Sequence, residues 1–196
     1  MSAWDLGVLR AVRFKLLASP DAVAEGAGLD IEDAAQALEA LGRAGLATST
    51  PRGWRLSAEG QAVLDNLLNE ERRAIDGDGA RQVHQRFLAV DAELKQLVTD
   101  HQMSGDTSVS AANVSRLAQV HAAAADIATD AVSLAPRLAT YPGRLTQALA
   151  RVEMGDARFL ASPMVDSYHT VWFELHEELI HLAGLRRADL EAEGRS

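Results

Sequence analysis

The sequence predicts a mostly α-helical protein in two parts: three helices and a short two-stranded hairpin leading into a fourth helix, followed by an all-α helical bundle. Three observations carry this expectation. Apolar residues recur at three- and four-residue spacing along nearly the whole chain. The only strand-like runs are short and flank Pro51-Arg52-Gly53. The Gly/Asp cluster Asp76-Gly77-Asp78-Gly79 reads as a linker or sharp turn and separates regions of different chemistry, since all 6 histidines follow it. The boundary is placed there, giving domains at residues 1–75 and 76–196.

Composition sets the outer limits. A chain of 196 residues, 47% hydrophobic and 24% charged, is long enough to bury a substantial core as one or two domains. It contains no cysteine, which excludes disulfides, thiolate metal sites and thiol catalysis. No apolar run approaches the length that spans a bilayer, and the N-terminal residues lack the basic-then-apolar order of a signal peptide, so the expected location is cytoplasmic with no membrane partner. A net charge of −9 argues against a surface built throughout for phosphate but leaves room for a local basic patch.

Taken in order, Leu6, Leu9, Val12, Leu16 and Leu17 give a first amphipathic helix between Asp5 and Ala18. Ser19-Pro20 caps a second, which ends in the Gly26–Gly28 turn. Asp30 is expected to cap a third, with Ile31, Ala34, Ala35, Leu38 and Leu41 on one face and a stop at Gly45. Two strand-like runs, Leu46–Thr50 and Trp54–Leu56, are joined by Pro51-Arg52-Gly53, whose fixed and permissive backbone angles suit a tight turn. Ser57 then opens a helix running to about Arg73.

Helix, helix, helix, hairpin, helix is the order of a winged helix-turn-helix. The stretch AEGAGLDIEDAAQALEALGRAGLATSTPRGWRLSAEGQAVL resembles the winged-helix domain of MarR-like bacterial transcriptional regulators over about residues 5–73, and GLATSTPRGWRLSAEG is its most specific part. The resemblance implies that the third helix enters the major groove of double-stranded DNA while the wing reaches a neighbouring groove or the phosphates. Carried onto this chain, the expected DNA-contacting residues are Gln36, Arg43, Thr50, Arg52 and Arg55. Asp30, Glu32 and Asp33 open the presumed reading helix with carboxylates, which repel phosphate, although a carboxylate can accept from cytosine N4 and Gln36 can pair with adenine. The alternative is therefore a winged helix that does not bind DNA and contacts a partner protein.

The second half reads as four or five helices with short connections. Arg81–His101 places Val83, Phe87, Val90, Leu94, Leu97 and Val98 on one stripe; MSGDTSVS breaks it. Asn113–Ala135 places Val114, Leu117, His121, Ala124, Ala128 and Val132 on another, and Pro136 ends it. TYPG is expected to turn the chain, Arg144–Met154 to form a shorter helix, GDARFLASP to connect, and Met164–Ala183 to form the last long helix. FLAVDAELKQLVTDHQ and VDSYHTVWFELHEELI are similar to the helical domain that follows a winged helix in small actinobacterial regulators, some found beside or joined to pyruvate phosphate dikinase-like enzymes. That similarity covers most of residues 86–180 and implies a domain type, with no ligand or reaction. It makes a phosphoenolpyruvate-utilising enzyme the partner in the adaptor alternative.

WFELHEELIHLAG, residues 172–184, raises the question of a metal. His176 and His181 are five apart, which on a helix turns the second about 140° from the first, so one ion cannot collect both. Glu178 and His181 form one E-x-x-H step of the kind that di-metal bundles use twice, but the second copy is absent; a surface pair near a helix end is the plainer reading. On the same helix Val165, Tyr168, His169, Trp172, His176, Leu179 and Ala183 share one side, while Asp166, Thr170, Glu174, Glu177, Glu178 and His181 fall toward the others. His121, Tyr168, His169, Trp172 and His176 could line an effector pocket between helices; the plainer alternative is that they pack the core. No nucleophile elbow, phosphate loop or dinucleotide fingerprint occurs. The expectation is a one-component DNA-binding regulator, not an enzyme and without a cofactor, acting as a homodimer whose helical domain senses a small ligand or mediates dimerisation.

Overall fold

The computed structural model describes residues 3–15 and 17–186. The chain is mostly helical, with a two-stranded antiparallel sheet after three helices, and it divides into two compact units, residues 1–74 and 75–196.

In the first unit, α1 (Ala3–Lys15), α2 (Pro20–Ala27) and α3 (Ile31–Arg43) precede β1 (Ala47–Thr50), β2 (Gly53–Leu56) and α4 (Ala58–Ala74). Leu16, expected on the apolar face of the first helix, lies outside the described residues. Ser19 accepts from the Ala22 amide at 3.2 Å, and Pro20 follows at a position whose amide would have no partner in the helix. Asp30 occupies the corresponding place before α3, but its side chain makes no capping hydrogen bond, contrary to expectation. Val8, Leu9, Val12, Val23, Leu38, Leu64 and Leu68 form the centre of this unit's core.

The hairpin pairs Ala47 with Leu56 through to Thr50 with Gly53, leaving Pro51-Arg52 as a two-residue turn. Gly53 has φ +134°, a conformation open to glycine at little cost. Ala18 adds a one-residue bridge on the other side of β2, exchanging two 2.8 Å backbone hydrogen bonds with Trp54. Two close approaches fix α3, the hairpin and α4. The Trp54 ring lies where a Cβ on Gly42 would meet it at 2.9 Å, and a Cβ on Gly60 would sit 1.9 Å from the Leu46 carbonyl oxygen. Ser57 joins the same junction by donating to the Gly45 carbonyl at 2.7 Å and accepting from the Gly60 amide at 2.9 Å.

The second unit contains α5 (Gly77–Ser104), α6 (Ala111–Leu134), a 3-10 turn (Pro136–Ala139), α7 (Thr140–Glu153), α8 (Arg158–Ala161) and α9 (Tyr168–Leu182). Two expected loops are helix instead. The DGDG cluster supplies the N-cap and first turn of α5, with Asp76 accepting from the Asp78 amide at 3.1 Å; short Asp and Gly residues serve a helix start as well as a turn. TYPG forms the first turn of α7, where Pro142 lacks only an amide that needs no intrahelical partner. GDARFLASP also contains the short α8.

Helix α6 packs against α5 and α7, and α9 packs against α5, α7 and α8. Ten of the fifteen residues of α9 are buried, which marks a helix enclosed on most sides rather than one with a single apolar stripe. The core around it includes Phe87, Leu94, Leu97, Leu117, Leu138, Leu145 and Leu160. Among the described residues no helix is long and apolar enough to cross a membrane.

Candidate functional site

Two regions hold the residues singled out from sequence, one in each unit. In the first, α3 exposes Glu32, Asp33, Gln36, Glu39 and Arg43 on its outer side, because Ala34, Ala37, Leu38 and Leu41 take the inner one. Leu29, Asp33, Gln36, Ala37, Ala40 and Arg43 line a surface depression of about 430 Å³. Two of its lining side chains are methyl groups, and its polar groups are one amide, one carboxylate and one guanidinium.

Arg52 and Arg55 are exposed on the hairpin, the first in its turn and the second on β2. Neither their guanidinium groups nor that of Arg43 has a hydrogen-bond or ion-pair partner among the described residues, whereas the Arg13 side chain pairs with Asp65 at 3.4 Å. Thr50 is placed differently from expectation. Its hydroxyl donates to the Gly53 carbonyl at 2.7 Å and accepts from the Arg52 amide at 3.3 Å, so it closes the turn that presents Arg52. The unit that bears these cations is net negative: residues 1–74 carry eleven Asp and Glu against eight Lys and Arg.

In the second unit, the five residues expected to line a pocket are distributed over two clusters and one outlier. Trp172, 2% exposed, stacks on Phe87 at 4.1 Å between ring centroids, and Phe87 stacks in turn on His176 at 4.5 Å. Tyr168 is fully buried and its hydroxyl meets His121 Nδ1 at 3.3 Å, while His121 Nε2 reaches the Thr146 hydroxyl at 3.4 Å. His169 belongs to neither cluster; it is half-buried near Asp91 and Lys95. Burial lowers the pKa of both His121 and His169, opposed by Glu153 for the first and by Asp91 for the second. Burial raises that of Tyr168, so its phenol stays protonated. Trp172, Tyr168 and His176 are thus core residues joined by stacking and polar contacts. Neither the α3 depression nor a shallow groove along α5 and α6, lined by Gln82, Arg86 and Asp130 among others, includes any of the five.

Sequence reasoning missed the polar framework holding α9. Arg144 on α7 donates twice to Asp166, at 2.7 Å each, and once to Glu174 at 2.6 Å. Burial opposes its charge, but the bonds to Asp166 and the fields of Glu174 and Asp166 outweigh that and raise its pKa. Arg137 from the 3-10 turn binds Glu178 at 2.7 Å, where Glu178 is 1% exposed. That corrects the expected surface pair of Glu178 with His181: the carboxylate faces inward to a cation. The Trp172 indole donates to Asp91 at 3.0 Å, and Lys95 binds the other oxygen of Asp91 at 2.9 Å. His84 on α5, absent from the expected apolar stripe, approaches His176 with 3.3 Å between the two Nε2 atoms.

A signal for part of this existed. His84 and Asp91 bracket Phe87 at spacings of three and four and so fall on the core stripe of α5. Arg144 lies beside Leu145 and three residues from Tyr141. Among the described residues no group of three His, Asp or Glu side chains is arranged to hold a metal ion. Compared with protein-family models, curated proteins and solved structures, the chain matches none.

Proposed function

We propose that the first unit is a winged helix-turn-helix that binds double-stranded DNA, and that the chain is a cytoplasmic one-component transcriptional regulator rather than an enzyme. The carrying observation is the trio Arg43, Arg52 and Arg55: three exposed guanidiniums at the end of α3 and on the hairpin, without internal partners among the described residues. Cations left uncommitted by their own domain are available to phosphate, and Gln36 lies on the same α3 face as Arg43, where its amide suits an adenine edge. A homodimer follows from the two-fold symmetry of pseudo-palindromic sites. The second unit serves as the regulatory part, with the half-buried His121 and His169 as the members of the expected effector set that a small ligand could reach.

The test is selection of the purified protein on a random duplex pool at low and near-physiological salt. An enriched, pseudo-palindromic sequence at the higher salt supports the reading. Absence of enrichment at both, with and without added cell metabolites, overturns it.

A second reading is favoured by the other residues on the same helix. Glu32, Asp33 and Glu39 outnumber Arg43 there, and Ile31 is 57% exposed beside them. An exposed isoleucine ringed by carboxylates suits a basic protein surface better than a phosphate backbone. In that reading the unit is an adaptor that does not bind duplex DNA, and Ile31→Asp abolishes co-purification of the partner.

A further inference from the structure

We infer that the depression on α3 is a receptor for the major-groove edge of a cytosine, with Asp33 accepting from its amino group and the apolar lining covering C5, so that 5-methylcytosine is held more tightly still. The inference rests on the DNA-binding reading above and deepens it by naming the base that α3 selects.

Asp33 and Ala37 are four residues apart in α3, which makes their side chains neighbours on the helix surface. Asp33 is exposed, and its carboxylate has no hydrogen-bond or ion-pair partner among the described residues. Arg43, the cation that lines the same depression, is ten residues further on, about 15 Å along the helix axis, and leaves that carboxylate unneutralised. Beside Asp33 the lining is apolar: Ala37 is 2% exposed and fixed in the core of the unit, Leu29 is half-buried and Ala40 is exposed. Gln36 has both a donor and an acceptor on its amide, which suits an adenine on a neighbouring pair. The end of the depression at Asp33 and Ala37 therefore offers a charged acceptor with a methyl group next to it.

Only one base edge fits that pairing. In the major groove guanine presents two acceptors, N7 and O6, and thymine presents the O4 acceptor beside its methyl group, so a carboxylate repels both. Adenine has an amino group, but its N7 acceptor lies next to it and would lose its hydrogen bond to water against the apolar lining. Cytosine presents a donor and no acceptor, and the atom beside its amino-bearing carbon is the apolar C5. A methyl group on C5 adds apolar surface where the alanine methyls lie and leaves the amino group unchanged. The exposed Glu32 and Glu39 do not line the depression. Attraction to phosphate falls to Arg43, Arg52 and Arg55, so different residues carry affinity and base choice.

Asp33 also lies in the first turn of α3, where a carboxylate favours the helix dipole. Replacing it weakens the helix for every duplex alike, so base reading is measured as a ratio between duplexes and not as an affinity.

The experiment starts from the duplex that the full chain enriches from a random pool. Each cytosine of that site is replaced in turn by 5-methylcytosine, and its C·G pair by U·A and by T·A. Equilibrium binding is measured at near-physiological salt for the native protein, Asp33→Asn and Ala40→Gln. These four pyrimidines vary the amino group and the methyl group independently. At one position per half-site, cytosine is expected to be preferred over uracil by at least about fivefold. At the same position the C5 methyl should strengthen binding by about fourfold, in 5-methylcytosine over cytosine and in thymine over uracil. An asparagine amide donates to O4 as readily as it accepts from N4, so Asp33→Asn should bring the cytosine-to-uracil ratio to within twofold of one. Ala40→Gln occupies the depression and should remove the methyl gain while keeping the preference for cytosine. An enriched site in which no cytosine responds to Asp33→Asn overturns this inference and leaves the DNA-binding reading standing. A cytosine that responds to Asp33→Asn but gains nothing from the methyl overturns the receptor as described. Enrichment of no duplex at all overturns the DNA-binding reading, and this inference with it.

Discussion

Arg144→Met provides a direct test of what holds the second unit's central helix. The side chain is 5% exposed and supplies three hydrogen bonds of 2.6–2.7 Å to Asp166 and Glu174, whose side chains are 7% and 5% exposed. Methionine keeps much of the volume and removes all three donors. Leaving carboxylates buried without their cation costs about 3–5 kcal/mol, far more than the difference in apolar packing. Because about 1.4 kcal/mol is a factor of ten, the α9 amides should exchange roughly two to three and a half orders of magnitude faster in the variant. Peptide-resolved hydrogen exchange is the appropriate assay, since a chain of two units does not have a single well-defined unfolding free energy. Adding Asp166→Leu and Glu174→Met to the same variant should recover most of the protection, because the penalty lies in burying two carboxylates that have lost the Arg144 cation and not in the missing arginine. Exchange of α9 within threefold of the native protein in Arg144→Met would refute the reasoning.

Three further outcomes follow from the geometry. Gly60→Ala places a methyl 1.9 Å from the Leu46 carbonyl oxygen, so α4 must shift off the hairpin; a loss of about 1–3 kcal/mol, read by exchange of the hairpin and α4 amides, is expected, and unchanged protection refutes the close approach. Arg52→Ala with Arg55→Ala should weaken duplex binding and reduce the slope of log affinity against log salt by about 0.9 for each phosphate contact removed. Asp156 is held down to about 2 chiefly by the hydrogen bond from Arg158, with burial opposing and the Arg158 charge and amide and Arg151 adding to it. Its contribution is therefore present above the ordinary carboxylate range and lost as pH falls through about 2, and Arg158→Ala should return its titration, followed by carboxyl carbon NMR, toward ~3.9.

Local chemistry makes the first unit readable from sequence. Ser19-Pro20 can start a helix only one way, and Pro51-Arg52-Gly53 between two short apolar-flanked runs leaves a tight turn as the economical solution. Helix spacing alone likewise puts Phe87, Leu94, Leu117, Trp172 and Leu179 on the inner faces of their helices, where they are found. The departures have a common origin. DGDG and TYPG read as turns because Asp, Gly and Pro favour turns, yet the same residues favour helix starts, and what lies downstream decides between the two. Thr50 reads as an outward contact because a lone threonine carries no sign of whether its hydroxyl is needed by its own turn.

The polar core is least legible. A face-by-face reading treats a carboxylate as outward, which holds for Glu32 and Glu39 on α3 but fails for Glu174 and Glu178, because the partners that neutralise them come from α7 and the 3-10 turn. Pairing of His84 with His176 spans 92 positions and depends on α5 and α9 lying side by side. Sequence alone determined the centres of the long helices, most of the apolar stripe of each and the placing of Arg52 and Arg55 on the hairpin, since those depend on neighbours a few residues away, while helix starts at DGDG and TYPG and the short α8 escaped it. Tertiary structure alone decided which charges could be buried, because burying a charge is tolerable only where folding brings its counter-charge to within a hydrogen bond.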